Sequence, residues 1–288
     1  MNICQNLVFI FFFSSYLKSF WKYDYVIFNH HQTFLFSLLF KGPKYLIVHD
    51  LISVKNLDSQ KKNSKAVANF IESIVFRKSF LIFLSVDEKN HTFAKYEYKS
   101  SFLLDLYSHP KELYPWDGIN IVLIGNYKRK ENIISVENFF ELFFNKVKRY
   151  ELTSNFIFSI VGFGADSLIS SPSINRYKDS IRLVNNYTNI SEYKGSLHVS
   201  PLIRGAGLKI KLIEAYGAGI FTLGTKYTFQ GVHQFLLSEM GVCANSIDDL
   251  VDILLFRREI LYHPINIKVP IPNDLMKIEQ ILNKNEIR

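Results

Sequence analysis

Residues 198–232 read HVSPLIRGAGLKIKLIEAYGAGIFTLGTKYTFQGV. An apolar strand, a turn with glycines at 205 and 207, a cationic segment, a helix-forming run and a second apolar strand of 220–223 follow without a break. A strand–turn–helix–strand unit of this kind is the repeating element of a parallel α/β sheet. Gly205 and Gly207, with Ala206 between them, allow the backbone to approach a ligand closely. The helix expected over 208–216 aims its free N–H groups and the positive end of its dipole at that turn. Arg204, Lys209 and Lys211 crowd the same place. Cations at a helix start oppose the dipole by roughly a few tenths of a kcal/mol each, so the pattern implies a multiply charged anion such as a diphosphate. Glu214, one to two turns further in, is placed to accept hydrogen bonds from ribose hydroxyls. The competing reading is a plain helix–sheet core with Leu208, Leu212 and Ala215 inward and the lysines solvated, which gives the glycines and Glu214 no role.

The rest of the chain repeats this architecture. At 288 residues and 48% hydrophobic content it can bury one large or two modest cores. Strands are expected at 25–28, 44–49, 80–85 and 101–106, with helices at 6–20, 64–77 and 87–93. The segment 107–118, YSHPKELYPWDG, carries two prolines and ends in Asp-Gly, which marks a linker between a domain of 1–106 and one of 119–288. A second series then begins, with strands at 120–124, 155–161 and 181–184 and helices at 135–148, 247–256 and 274–282. Of the 13 glycines only Gly42 precedes residue 118, so the turns that admit a ligand to a sheet edge are concentrated in the second half.

The formal net charge of +8 calls for an acidic partner: a nucleotide-sugar, an anionic membrane surface or nucleic acid. No nucleic-acid recognition motif accompanies the charge. Cys4 and Cys243 have neither metal-site nor redox spacing, which fits a reducing cytoplasm. The apolar run 7–13 lacks the basic flank and cleavage site of a signal peptide and is shorter than the ~20 residues that span a bilayer. Phe20, Trp21 and Lys22 permit contact with a membrane interface, and burial within the first domain is the alternative.

At Pro201, Gly205, Gly207, Lys209, Lys211, Glu214, Ala215 and Gly219 the chain resembles the donor-binding half of the family-4 glycosyltransferases of the GT-B fold. The resemblance implies two Rossmann-like domains facing a cleft, the first abbreviated here, with a last helix that crosses back. It implies a metal-independent, retaining hexosyltransferase without a cofactor, moving sugar from a nucleotide-diphosphate donor to a glycan or lipid-linked acceptor in bacterial surface-polysaccharide assembly. The place implied is the cytoplasm, peripheral to the inner membrane. Its donor site would comprise Gly205, Ala206, Gly207, Lys209, Lys211 and Glu214, together with Gly125, Lys128 and Arg129 in IVLIGNYKRKEN and Gly162 in VGFGAD. Lys128 and Arg129 read equally well as a solvated basic loop. His49, at the end of LIVHD, matches a histidine near the transferred sugar in the family, although a histidine at a strand end is more often structural. Two departures stand out. Arg204 occupies the place of an acid that usually precedes the Gly-x-Gly turn, where it would act in catalysis, and the first half is short. Together they keep open a degenerate nucleotide-sugar-binding subunit without transfer activity.

Overall fold

The computed structural model describes residues 26–28, 42–48, 62–96, 100–103, 112–187, 189–205, 208–232 and 236–262. The chain divides into two compact units, Met1–Leu104 and Asp105–Arg288. The expected helices at 6–20 and 274–282 lie outside the described residues.

Among the described residues of the first unit, four parallel strands, β1 (Val26–Phe28), β2 (Lys44–Val48), β3 (Phe80–Phe83) and β4 (Ser100–Leu103), lie in the order β1-β2-β3-β4. Helix α1 (Lys62–Lys78) precedes β3 and α2 (Val86–Lys95) follows it. Phe28, Leu46, Val48, Val75, Phe76, Leu81 and Phe83 form its core. β3 ends earlier than the apolar run suggests, because Ser85 caps α2 by accepting from the Glu88 amide at 3.4 Å.

Among its described residues the second unit holds six parallel strands: β5 (Asn120–Ile124), β6 (Ile157–Val161), β7 (Ile181–Val184), β8 (Leu197–Ser200), β9 (Thr222–Thr225) and β10 (Gly241–Ala244). Their order is β10-β9-β8-β5-β6-β7. Helices α3 (Lys130–Arg149), α4 (Pro172–Asn175), α5 (Ile210–Gly217), α6 (Leu237–Met240) and α7 (Ile247–Phe256) connect or follow them. α3 carries Val136, Phe139, Phe140 and Phe143 at helical spacing, all buried against the sheet residue Phe158 and its neighbours. Each such side chain contributes about 1.5–3 kcal/mol by leaving water. Lys146 fastens α3 to α7 through Asp248 at 2.8 Å and Asp252 at 2.7 Å.

The strand expected at 155–161 begins at Ile157 and the helix expected at 208–216 begins at Ile210, and two further boundaries shift for identifiable reasons. α3 starts at Lys130 rather than at Ser135, because Ser135 is not a cap: its hydroxyl bonds back to the Glu131 carbonyl at 2.7 Å from inside the helix. The strand expected at 220–223 is displaced to Thr222–Thr225, since Ile220 makes only a single bridge, to Tyr114, while Gly224 continues the ladder beside Cys243.

Candidate functional site

β5 and β8 are neighbours at the centre of the second sheet, and the chain leaves them in opposite directions. From β5 it passes through α3 to β6; from β8 it passes through α5 to β9 on the other side. Turns that diverge at the carboxyl edge of a parallel sheet open a crevice there, the usual ligand position in doubly wound folds. The Gly125 turn and the Gly205 turn occupy these two positions, and the Arg204 guanidinium joins them by meeting Glu131 of α3 at 3.5 Å. Backbone of the β8 turn is tethered by side chains that the sequence reading passed over. Thr225 donates to the Leu202 carbonyl at 2.5 Å, Thr228 to the Ser200 carbonyl at 2.7 Å, and Ser135 accepts from the Ile203 amide at 3.3 Å.

α5 opens at Ile210, with Lys209 as its N-cap. The Lys209 side chain folds back over Gly205, where a Cβ would stand 3.1 Å from Cε and 3.3 Å from the ammonium nitrogen. Two residues on, Lys211 donates to Glu214 Oε2 at 2.7 Å and to the Tyr187 hydroxyl at 2.6 Å, and that hydroxyl donates to Glu214 Oε2 at 3.3 Å. Partial burial disfavours the Lys211 ammonium, but its hydrogen bonds to Glu214 and Tyr187 and their charges outweigh this, so its pKa lies above the ordinary lysine value. These contacts correct one expectation. Arg204 and Lys211 do not repel the helix end as bare cations, because each faces a carboxylate of the protein itself.

The remaining predicted residues cluster at the ends of β5 and β6. Gly162 has φ +130° and a Cβ there would sit 2.0 Å from the Gly125 carbonyl oxygen, so no other residue fits. The need for glycine is thus met by loop-to-loop contact within the chain, where a ligand was the expected cause. The Gly125 amide bonds to the Val161 carbonyl at 3.0 Å and the Tyr127 amide to that of Phe163 at 2.8 Å. Lys128 lies across Gly164 with its ammonium 5.7 Å from the exposed Phe163 ring, and Arg129 is exposed at the N-cap of α3 without a side-chain cap bond. Together Lys128 and Arg129 form a basic rim on the β5 turn, at the same sheet edge as the loop of Arg204.

His49, Ala206 and Gly207 lie outside the described residues. Tyr187 and Glu131 are the site residues the sequence reading missed. The signal for Tyr187 is its place just after β7, in a loop rising from the same sheet edge as both glycine turns.

No protein-family model matches the chain, and no curated protein sequence does. Solved structures do. A sucrose-phosphate synthase from Thermosynechococcus elongatus superposes over 96% of this chain and 76% of its own with a TM-score of 0.69 at 14% identity. The fold is GT-B. WaaG, a glycosyltransferase involved in lipopolysaccharide biosynthesis, matches 91% of this chain and 75% of its own, with a TM-score of 0.62 at 15% identity. A variant of S. aureus TarM, in complex with fondaparinux, alpha-GlcNAc-glycerol and UDP, matches 80% of this chain at a TM-score of 0.59 and 16% identity. The chain spans 47% of that TarM. Among the described residues no helix is long and apolar enough to cross a membrane.

Proposed function

We propose that the protein is a glycosyltransferase that moves a sugar from a nucleotide-diphosphate donor to a glycan or lipid-linked acceptor. The observation that carries this reading is the set of charged side chains at the β5/β8 divergence of a GT-B sheet: Lys209 lies over Gly205, Arg204 pairs with Glu131, and Lys211 pairs with Glu214 at the start of α5. In this reading the Gly205-Ala206-Gly207 turn, Lys209 and Lys211 receive the diphosphate, and Glu214 takes a ribose hydroxyl. Gly125, Lys128, Arg129 and Gly162 border the donor sugar. The bond from the sugar's anomeric carbon to the diphosphate breaks, its electron pair leaving on the diphosphate. The acceptor hydroxyl forms the new glycosidic bond and passes its proton to an oxygen of the departing diphosphate. Fixed cations and the start of α5 stabilise the departing charge, which a preorganised site does without reorganisation at the moment of reaction. This makes the reaction independent of metal, and turnover is expected to survive a chelator. Retention of anomeric configuration, a role for His49 near the transferred sugar, a bacterial surface polysaccharide as product and a peripheral place on an anionic membrane belong to the same proposal.

Nucleotide-sugars screened by thermal shift test it. A donor at a hundred times its dissociation constant adds about 2.7 kcal/mol of stability. If no nucleotide-sugar raises the melting temperature, the reading is wrong. His49→Ala is expected to lower turnover and leave donor affinity unchanged, whereas full turnover returns His49 to a structural role.

The Arg204–Glu131 contact favours a second reading, since an acid is expected where Arg204 stands and the arginine is already engaged. A degenerate binding subunit would show donor affinity with neither transfer nor donor hydrolysis.

A further inference from the structure

Tyr187 crosses the divergence point. It follows β7, on the outer edge of the sheet, yet its ring packs on Ala215 of α5 and on Ile190 and Ile220, beside Ile124 at the end of β5. Its hydroxyl reaches the Lys211–Glu214 pair. The proton arrangement of the three groups is fixed by their chemistry. An ammonium only donates, a carboxylate only accepts, and a phenol has one proton, so Lys211 donates to Tyr187 and to Glu214 while Tyr187 donates to Glu214. Both bonds to the carboxylate end on the same atom, Oε2. Among the described residues nothing hydrogen-bonds to Oε1, and the Glu214 side chain is 39% exposed.

A carboxylate with both oxygens open can take a vicinal diol with one hydroxyl on each. Glu214 has one oxygen already filled by Lys211 and Tyr187. We propose that Tyr187 is a positioning residue that ties up Glu214 Oε2, so that the site recognises one ribose hydroxyl of the donor and ignores its neighbour. The inference rests on the nucleotide-sugar reading above and adds a discrimination between the two hydroxyls. Loss of the phenol proton donor leaves Oε2 with Lys211 alone, reopens it to a second hydroxyl and makes the two equivalent.

Calorimetric titration tests this with whichever of UDP, GDP, ADP and CDP stabilises the protein most, and with its 2′-deoxy and 3′-deoxy forms. In the wild type one deoxy form is expected to bind about tenfold more weakly than the parent, and the other within about twofold. Tyr187→Phe keeps the ring and its packing. It is expected to bring the two deoxy forms within about twofold of each other. Equal losses for both forms in the wild type overturn the proposal without recourse to the variant. So does a Tyr187→Phe protein that melts lower and binds all three ligands uniformly more weakly, because that is what a purely structural tyrosine does. If none of the four diphosphates binds the wild type, the nucleotide-sugar reading falls and takes this inference with it; if they bind and the ratio is insensitive to Tyr187, only the tyrosine's role falls.

Discussion

Acidification is expected to destabilise the second unit through one histidine. His198 lies in β8 between β5 and β9, with Val122 and Thr222 as its register partners, and is 1% exposed. Its Nδ1 lies 3.0 Å from the Thr222 hydroxyl, and Nε2 has no partner among the described residues. Burial lowers its pKa from 6.5 to about 4, because nothing there replaces the water that would solvate an imidazolium. Above pH 6.5 both folded and unfolded chains carry it neutral, and it has no effect on stability. Between 6.5 and about 4 the unfolded chain takes up a proton that the folded chain refuses, so stability falls as the pH falls. At about 1.4 kcal/mol per pH unit the whole loss is about 3 kcal/mol, with about 1.4 lost by pH 5.5 and about 2.5 by pH 4.5. Urea unfolding of wild type and His198→Gln at pH 7.5, 5.5 and 4.5, followed by tryptophan fluorescence to which buried Trp116 contributes, measures it. The difference in unfolding free energy between the two proteins should shrink by those amounts on acidification. Asp249 cancels in the comparison; its carboxyl is held below the usual range by the Asn245 amide and by Arg257, and its stabilisation is lost only at still lower pH. A pH-independent difference between wild type and variant would refute the reasoning, since it would mean that the folded protein protonates His198 as readily as the unfolded chain.

Lys211→Ala and Glu214→Ala should each weaken nucleotide-diphosphate binding about tenfold, or about 1.4 kcal/mol, with circular dichroism unchanged; unaltered affinity in both folded proteins removes them from the donor site. Gly162→Ala forces a methyl group against the Gly125 carbonyl at a left-handed backbone angle and should cost about 2–4 kcal/mol, so a melting temperature equal to wild type would show that the two turns are not packed as described. Phe143→Ala removes a fully buried ring from α3 and should destabilise by about 3–5 kcal/mol in urea unfolding, whereas Tyr150→Ala, at the exposed end of the same helix, should cost far less.

Much of the second sheet was legible because its strands are short apolar runs bounded by polar turns. β5 and β7 begin and end where the residue pattern says, and so does α7, whose Ser246 cap and acidic first turn announce it. The start of α3 was hidden by its own charge. Lys128-Arg129-Lys130 looks like loop, no side chain caps the helix there, and Ser135 offers a false start. At the site, the glycines, Arg204, Lys209, Lys211 and Glu214 stand out as local pattern, since a turn and the first turns of a helix are encoded within a few residues. Tyr187, Glu131, Thr225 and Thr228 belong to the same place only by virtue of strand order, and nothing near them in sequence says that β8 will lie beside β5. The glycine at 162 illustrates the opposite case. Its residue type was informative, and the carbonyl of Gly125 by itself already requires glycine there.

β5 is the first strand of its sheet to be synthesised and ends up in the middle of it. As the chain leaves the ribosome, β6 and β7 can dock on one side of β5 through α3, while the other side keeps a row of bare amides and carbonyls until Leu197–Ser200 arrives. That waiting edge is a template for any stray strand, and parallel pairing across long connections is slow. Low temperature or a slower ribosome would therefore change the yield of folded protein more than its final stability. A truncation placed just before β8 should leave a nascent half-sheet that sticks to chaperones or to itself.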